Sequence, residues 1–132
     1  MPAAEPLPKP ESAAIQGRWE IVSVSGGWKP KSITGLHVVI TPDLIKFYYG
    51  NIRAFGMSYK IDPSRNPRAL DMIRNEKGKP VVQLGTYQLA GDTLKVCVEA
   101  AGKPRPPKAF LGDGASATSW VFKRSRVAVA AR

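Results

Sequence analysis

Apolar and polar residues alternate along most of this chain with a period of two, the pattern of strands that bury one face. In "LHVVIT" the apolar set is Leu36, Val38 and Ile40, and in "LIKFYY" it is Ile45, Phe47 and Tyr49. "FGMSYKID" puts Met57, Tyr59 and Ile61 on one side, and "TLKVCVE" does the same with Leu94, Val96 and Val98. "RWEIVSV" opens the series, "ALDMI" and "VVQLGTYQL" continue it, and "TSWVFKR" closes it with Trp120 and Phe122 facing one way.

Turn-forming residues separate these runs. "PD" at 42–43, Gly50-Asn51 and "AGD" at 90–92 are short breaks of the kind that joins hairpins. "DPSRNP" is a loop, because each proline fixes its own φ and drives its predecessor out of the helical region. "RNEKGKP" reads as a polar connection, and "AAGKPRPPKAFLGDGASA" as a long irregular loop. About eight short strands result, with no segment of helical periodicity. Strands arriving in sequence predict an antiparallel meander, and closing the sheet removes its exposed edges. Eight strands is the size at which side chains just fill a barrel, or leave room for one small ligand. The expected fold is all-β, an eight-stranded antiparallel up-and-down barrel, with an open β-sandwich as the alternative.

The 132 residues suit one such domain. Residues 15–126 are assigned to the barrel, 1–14 to a Pro/Ala-rich arm or linker and 127–132 to a tail. "MPAAEPLPKPESAA" has neither the basic nor the continuous apolar region of a secretory signal, so a cytoplasmic location is expected if that N-terminus is native. No apolar run approaches the roughly 20 residues that span a bilayer as a helix.

Gly17-x-Trp19, at the mouth of the first strand, resembles the lipocalin (calycin) signature. In that superfamily the Trp closes one end of the barrel and a basic residue near the end of the last strand packs across its ring. The resemblance implies Arg124 in that role, with Lys123 as the alternative. "IQGRWEIVSV", "YKIDPSRNPRALDM", "LGTYQLAGDTLKVCV" and "SWVFKR" occur in that order. Together they are similar to a lipocalin-like domain family of unknown function, abundant in planctomycete bacteria. The likeness runs over residues 15–124; the family has no assigned catalytic residues, so it implies a fold and no activity.

If Trp19, Ile21, Val38, Ile40, Phe47, Tyr59, Leu70, Met72, Tyr87, Leu94, Val96, Trp120 and Phe122 point inward, a small apolar ligand could lie among them. The candidate lining set is Phe47, Tyr59, Met72, Tyr87 and Trp120, with the two tyrosine hydroxyls as placed polar groups. The same side chains equally make a packed core. Asp62 and Asp71 are the nearest approach to a carboxylate pair, and acid–base work would need them close together with their pKa values pushed apart. Asp62, before Pro63, reads more simply as a turn residue capping a local N–H, and Asp71 as a partner of Arg68 or Arg74. No catalytic residue is assigned.

His37 lies opposite Leu36, Val38 and Ile40 and is expected to look outward. One histidine and one cysteine supply no zinc or iron site, so no metal or cofactor is expected. Cys97 excludes an intrachain disulfide and reads as a small residue packed on a sheet face rather than a nucleophile. "GDG" at 112–114 resembles a fragment of a calcium loop, but the other acidic ligands are missing and a turn explains it.

Charge adds a second hypothesis. Twenty Lys and Arg against ten Asp and Glu give a formal net charge of +10. They cluster at Lys29/Lys31, at Arg65/Arg68/Arg74/Lys77/Lys79, at Lys103/Arg105/Lys108 and at Lys123/Arg124/Arg126, mostly in expected loops. That balance favours an anionic partner: nucleic acid, acidic protein or a membrane surface. Trp28 beside Lys29 and Lys31, and Phe55 after Arg53, are aromatic–basic neighbours suited to stacking single-stranded nucleic acid. Yet no RNA- or DNA-binding signature accompanies them. The expectation is a non-enzymatic module that binds a small apolar ligand or a protein partner at the barrel mouth. A basic interaction module is the alternative, and an aspartate-dependent enzyme the remaining reading.

Overall fold

The computed structural model describes residues 11–26, 34–111 and 116–125. The arm residues 1–10, Trp28 with Lys29 and Lys31, the "GDG" at 112–114 and the tail from Arg126 lie outside the described residues. A single helical turn, α1 (Glu11–Ala14), precedes nine strands: β1 (Gly17–Gly26), β2 (Leu36–Ile40), β3 (Leu44–Tyr49), β4 (Ile52–Asp62), β5 (Arg68–Glu76), β6 (Lys79–Gln83), β7 (Gly85–Ala90), β8 (Thr93–Val98) and β9 (Thr118–Arg124).

Each strand pairs antiparallel with the next as far as β5, then β5 with β7, β7 with β8, β8 with β9, and β9 back with β1. This is a closed eight-stranded barrel, not an open sandwich. The ninth strand, β6, pairs only with β5 and stands outside the cylinder.

That extra strand corrects the sequence reading at two places. "RNEKGKP" is not a connection: Arg74–Glu76 end β5, Lys79 and Pro80 start β6, and Lys77-Gly78 turn between them with φ of 51° and 80°. Both turn residues are left-handed, the geometry that matches hairpin twist, and the glycine adopts it without steric cost. "VVQLGTYQL" breaks at Leu84, so its first part follows β5 outward while its second re-enters the barrel. Gly85 opens that second part. A Cβ there would lie 2.4 Å from the Leu70 carbonyl oxygen and 2.9 Å from that of Cys97, so only glycine lets β5, β7 and β8 meet.

Period two decides the core. Cross-strand rows such as Trp19–Val38–Phe47 and Ile21–Phe122–Leu94 put the apolar set inside. The thirteen side chains expected to point inward are all buried, the larger apolar ones worth roughly 1.5–3 kcal/mol each. Ile15, Leu36, Ile45 and Val98 join them. Tyr49, placed with Ile45 and Phe47 by period two, is instead 42% exposed at the end of β3.

One end is sealed. Gly17 turns the chain into β1 at φ 117°, a conformation L side chains rarely adopt. Trp19 is fully buried and its indole N–H donates to the Ile15 carbonyl at 2.8 Å. The Arg124 guanidinium lies 4.0 Å from the indole centroid, while Nη1 donates to the Gln16 carbonyl (2.7 Å) and Nη2 to that of Ala14 (2.6 Å). The cation across the ring is therefore Arg124; Lys123, on the alternate side of β9, is exposed.

Candidate functional site

Among the described residues, the other end opens where β4 and β5 part company. Their ladder runs only from Ser58–Ile73 to Asp62–Ala69. Beyond it, Ile52–Met57 keep β3 as their partner while Arg74–Glu76 are bonded to β6. The separation leaves a cleft of about 450 Å³, lined by Phe55, Gly56 and Met57 from β4, Met72 and Arg74 from β5, Gln83 from β6, and Val98, Thr118 and Trp120 from β8 and β9. Its walls are mostly apolar with a few polar groups, and its volume falls in the range of small-molecule pockets.

An aromatic stack forms the floor. Phe47 is fully buried, 4.4 Å from Phe55 between ring centres and 5.3 Å from Trp120, and Trp120 in turn stacks on Phe122 at 5.8 Å. Phe55 is 39% exposed, and the buried Phe47 beneath it fixes its ring at the cleft wall. Arg74 crosses the β5–β6 ribbon: Nε donates to Glu76 at 2.9 Å and Nη1 to the Gln83 side-chain carbonyl at 2.7 Å. Gln83 Nε2 donates onward to the Glu99 carbonyl at 3.3 Å.

Of the five residues singled out from the sequence, the structure brings Met72 and Trp120 to this cleft and puts Phe47 directly beneath it. Tyr59 sits toward the sealed end, its hydroxyl donating to the Thr41 carbonyl at 2.7 Å; burial, then the Asp43 carboxylate, raises its pKa. Tyr87 is buried away from the mouth and borders a second hollow of about 480 Å³. That hollow is a concavity of the Pro63–Arg68 loop, more polar than the cleft. The sequence pattern pairs Met57 and Val98 with core neighbours, whereas Arg74 falls in a segment read as a connection and Gln83 in one read as a single strand continuing to Leu89.

The two aspartates are each held by other groups. Asp62 accepts from the Ser64 N–H (3.1 Å) and hydroxyl (2.5 Å), which hold its carboxyl below the usual range, with Arg65 at 3.6 Å adding to the effect. Asp71 is taken by neither Arg68 nor Arg74: both its oxygens face the Arg105 guanidinium, Nη2 donating to Oδ2 at 3.4 Å.

Arg105 belongs to the long loop, which straps the outside of the barrel. Its Nη1 also donates to the Gly85 carbonyl at 2.7 Å, Thr86 Oγ1 donates to the Pro106 carbonyl at 2.5 Å, and the Leu111 N–H donates to Ser119 Oγ at 2.9 Å. The cross-strand row Thr86–Cys97–Ser119 is therefore fully buried although it faces outward. Glu99, buried at the start of the strap, accepts from the Ser116 hydroxyl (3.0 and 3.1 Å) and the Ala100 N–H (3.1 Å). His37 also departs from expectation. It is on the face opposite Val38, yet only 7% exposed and stacked on Tyr48 at 5.2 Å.

Burial pushes the Cys97 thiol pKa up, and the Glu99 carboxylate adds to the effect against the Ser119 and Leu111 donors. The reactive thiolate is suppressed. Alkylation of Cys97 by iodoacetamide at pH 8 is expected to run roughly 100-fold slower in the folded protein than in urea; similar rates would mean the strap does not cover the thiol. Among the described residues, no three of the His, Cys, Asp and Glu side chains group as metal ligands, and no helix is long and apolar enough to cross a membrane. No protein-family model matches the chain, and neither does a curated protein or a solved structure.

Proposed function

We propose that the chain is a non-enzymatic binding module whose open barrel end receives an apolar group, carried by a small molecule or by a protein partner. The observation that carries this reading is the cleft itself: Trp120, Phe55, Met57 and Met72 surround about 450 Å³ where the β4–β5 ladder ends. A lipocalin-like kinship is supported by the sealed end, where Arg124 lies across Trp19 beside the opening turn at Gly17. The basic-module reading is weakened by what several clustered cations do: Arg65 pairs with Asp62, Arg74 with Glu76 and Arg105 with Asp71, while Arg124 is spent on the seal.

A neutral fluorescent probe, N-phenyl-1-naphthylamine, tests the cleft. It is expected to bind with micromolar affinity, to quench Trp120, and to change little with salt, since no counterions are released. Trp120→Ala should weaken it about tenfold, the scale of one lost aromatic contact. Absence of binding, or binding indifferent to Trp120, would refute the mouth as the binding end.

A further inference from the structure

Resting on the mouth as the binding end, we infer that the partner is an extended acidic polypeptide segment that adds as a strand to the free edge of β4 and seats an apolar side chain in the cleft. The register carries this. From Ile52 to Met57, β4 is bonded on one edge by β3, and the described residues give its other edge no partner. Across the gap, Arg74–Glu76 of β5 are bonded to β6 and leave their own β4-facing edge equally open. Two rows of unpaired backbone donors and acceptors thus flank an apolar cleft, which is what strand addition uses: main-chain bonds for affinity, a pocket for alternate side chains.

A second free edge, that of β6, is guarded. β6 carries Lys79 and Pro80, a charge and a residue without an N–H, both of which discourage pairing with another chain. The β4 edge, "IRAFGM", has no proline and bears Ile52 at 74% exposure and Phe55 at 39%. An edge that exposes large apolar side chains is a recognition feature or an aggregation hazard. Gly56, in the middle of it, lets a second backbone approach closely.

Charge selects the acidic segment. Arg53 lies beside the edge, its Nη2 3.5 Å from where a Gly56 Cβ would be, and makes no ion pair among the described residues. Arg74 faces it across the cleft, and the nearby carboxylate, Glu76, is already bound to Arg74 Nε. A segment alternating acidic and apolar residues would turn its carboxylates to Arg53 on the outer face and its apolar side chains to Phe55, Met57 and Trp120 in the cleft.

The test uses the full chain and fluorescein-labelled heptapeptides of sequence Glu-Val-Glu-Phe-Glu-Val-Glu, with a twin carrying Lys for Glu and two forms N-methylated on alternate amides. Anisotropy should show the acidic peptide binding about tenfold or more tighter than its lysine twin, and at least one N-methylated form losing binding. Amide exchange at Ile52–Met57 should slow about tenfold on binding. Ala54 sits at a bulge, skipped between the Phe47–Phe55 and Tyr48–Arg53 pairs. Ala54→Pro should therefore abolish peptide binding while N-phenyl-1-naphthylamine still binds; Arg53→Glu, a surface change, gives the same readout should the proline variant not fold. If the probe binds but the acidic peptide does not, or the peptide binds with unchanged exchange at 52–57 and tolerates both N-methylations, the strand proposal is overturned and the mouth reading stands. If neither binds, both fall.

Discussion

Gly85→Ala is expected to cost about 3 kcal/mol, the upper end for overpacking, and to lower the melting temperature by roughly 10 °C. The added methyl would sit 2.4 Å from the Leu70 carbonyl oxygen, 2.9 Å from that of Cys97 and 3.0 Å from Val98 Cγ2. Two of these are backbone atoms of neighbouring strands, so no rotamer change relieves the clash. β7 would have to move off β5 and β8, and the Gly85 carbonyl would leave Arg105, loosening the strap as well. A thermal melt of the single variant decides it. A melt within a degree or two of the parent would mean that three strands do not converge there. By contrast Gly91, with nothing within 4 Å of its Cβ position, has space to spare and is constrained only by its φ of 58°.

Trp19→Ala is expected to cost about 3–5 kcal/mol, the range for emptying a fully buried aromatic site. Trp19→Phe keeps most of the bulk but orphans the Ile15 carbonyl, a loss of about 1 kcal/mol. Arg124→Ala removes the cation over the ring, worth about 0.5–2 kcal/mol, together with two charge-assisted bonds to the Gln16 and Ala14 carbonyls. Because the two side chains touch, the double variant should be less damaging than the sum, with a coupling of about 1–2 kcal/mol. Urea denaturation of the four proteins measures that coupling directly. Additive losses would show that the indole and guanidinium do not interact in solution.

The barrel was legible because inward residues are apolar at every second position and because Gly50-Asn51 and Gly91-Asp92 are unambiguous turns. β6 was not, for a physical reason. A strand outside the cylinder, exposed on most of its length, has little apolar alternation to show, and Lys77 gave no hint that it would take a left-handed φ. The same blind spot hid the cleft, whose Arg74 and Gln83 lie on that ribbon. Outward-facing Thr86, Cys97 and Ser119 follow the strand pattern faithfully, but their burial depends on a loop whose contacts to Thr86 and Ser119 lie 20 and 8 residues away in sequence, which no local pattern reports. Asp71 illustrates the limit. Arg68 and Arg74 are near it in the chain, yet the partner chosen in space is Arg105, 34 residues on.

The seal at Trp19 also sets a timetable. The groups that clasp it are separated by 108 and 110 positions, and β1 lacks its second neighbour until β9 has been made. A ribosome therefore releases nearly the entire domain before the cylinder can shut, and closure of so distant a pair makes for slow, non-local assembly. Until then the first strand travels with one side bare.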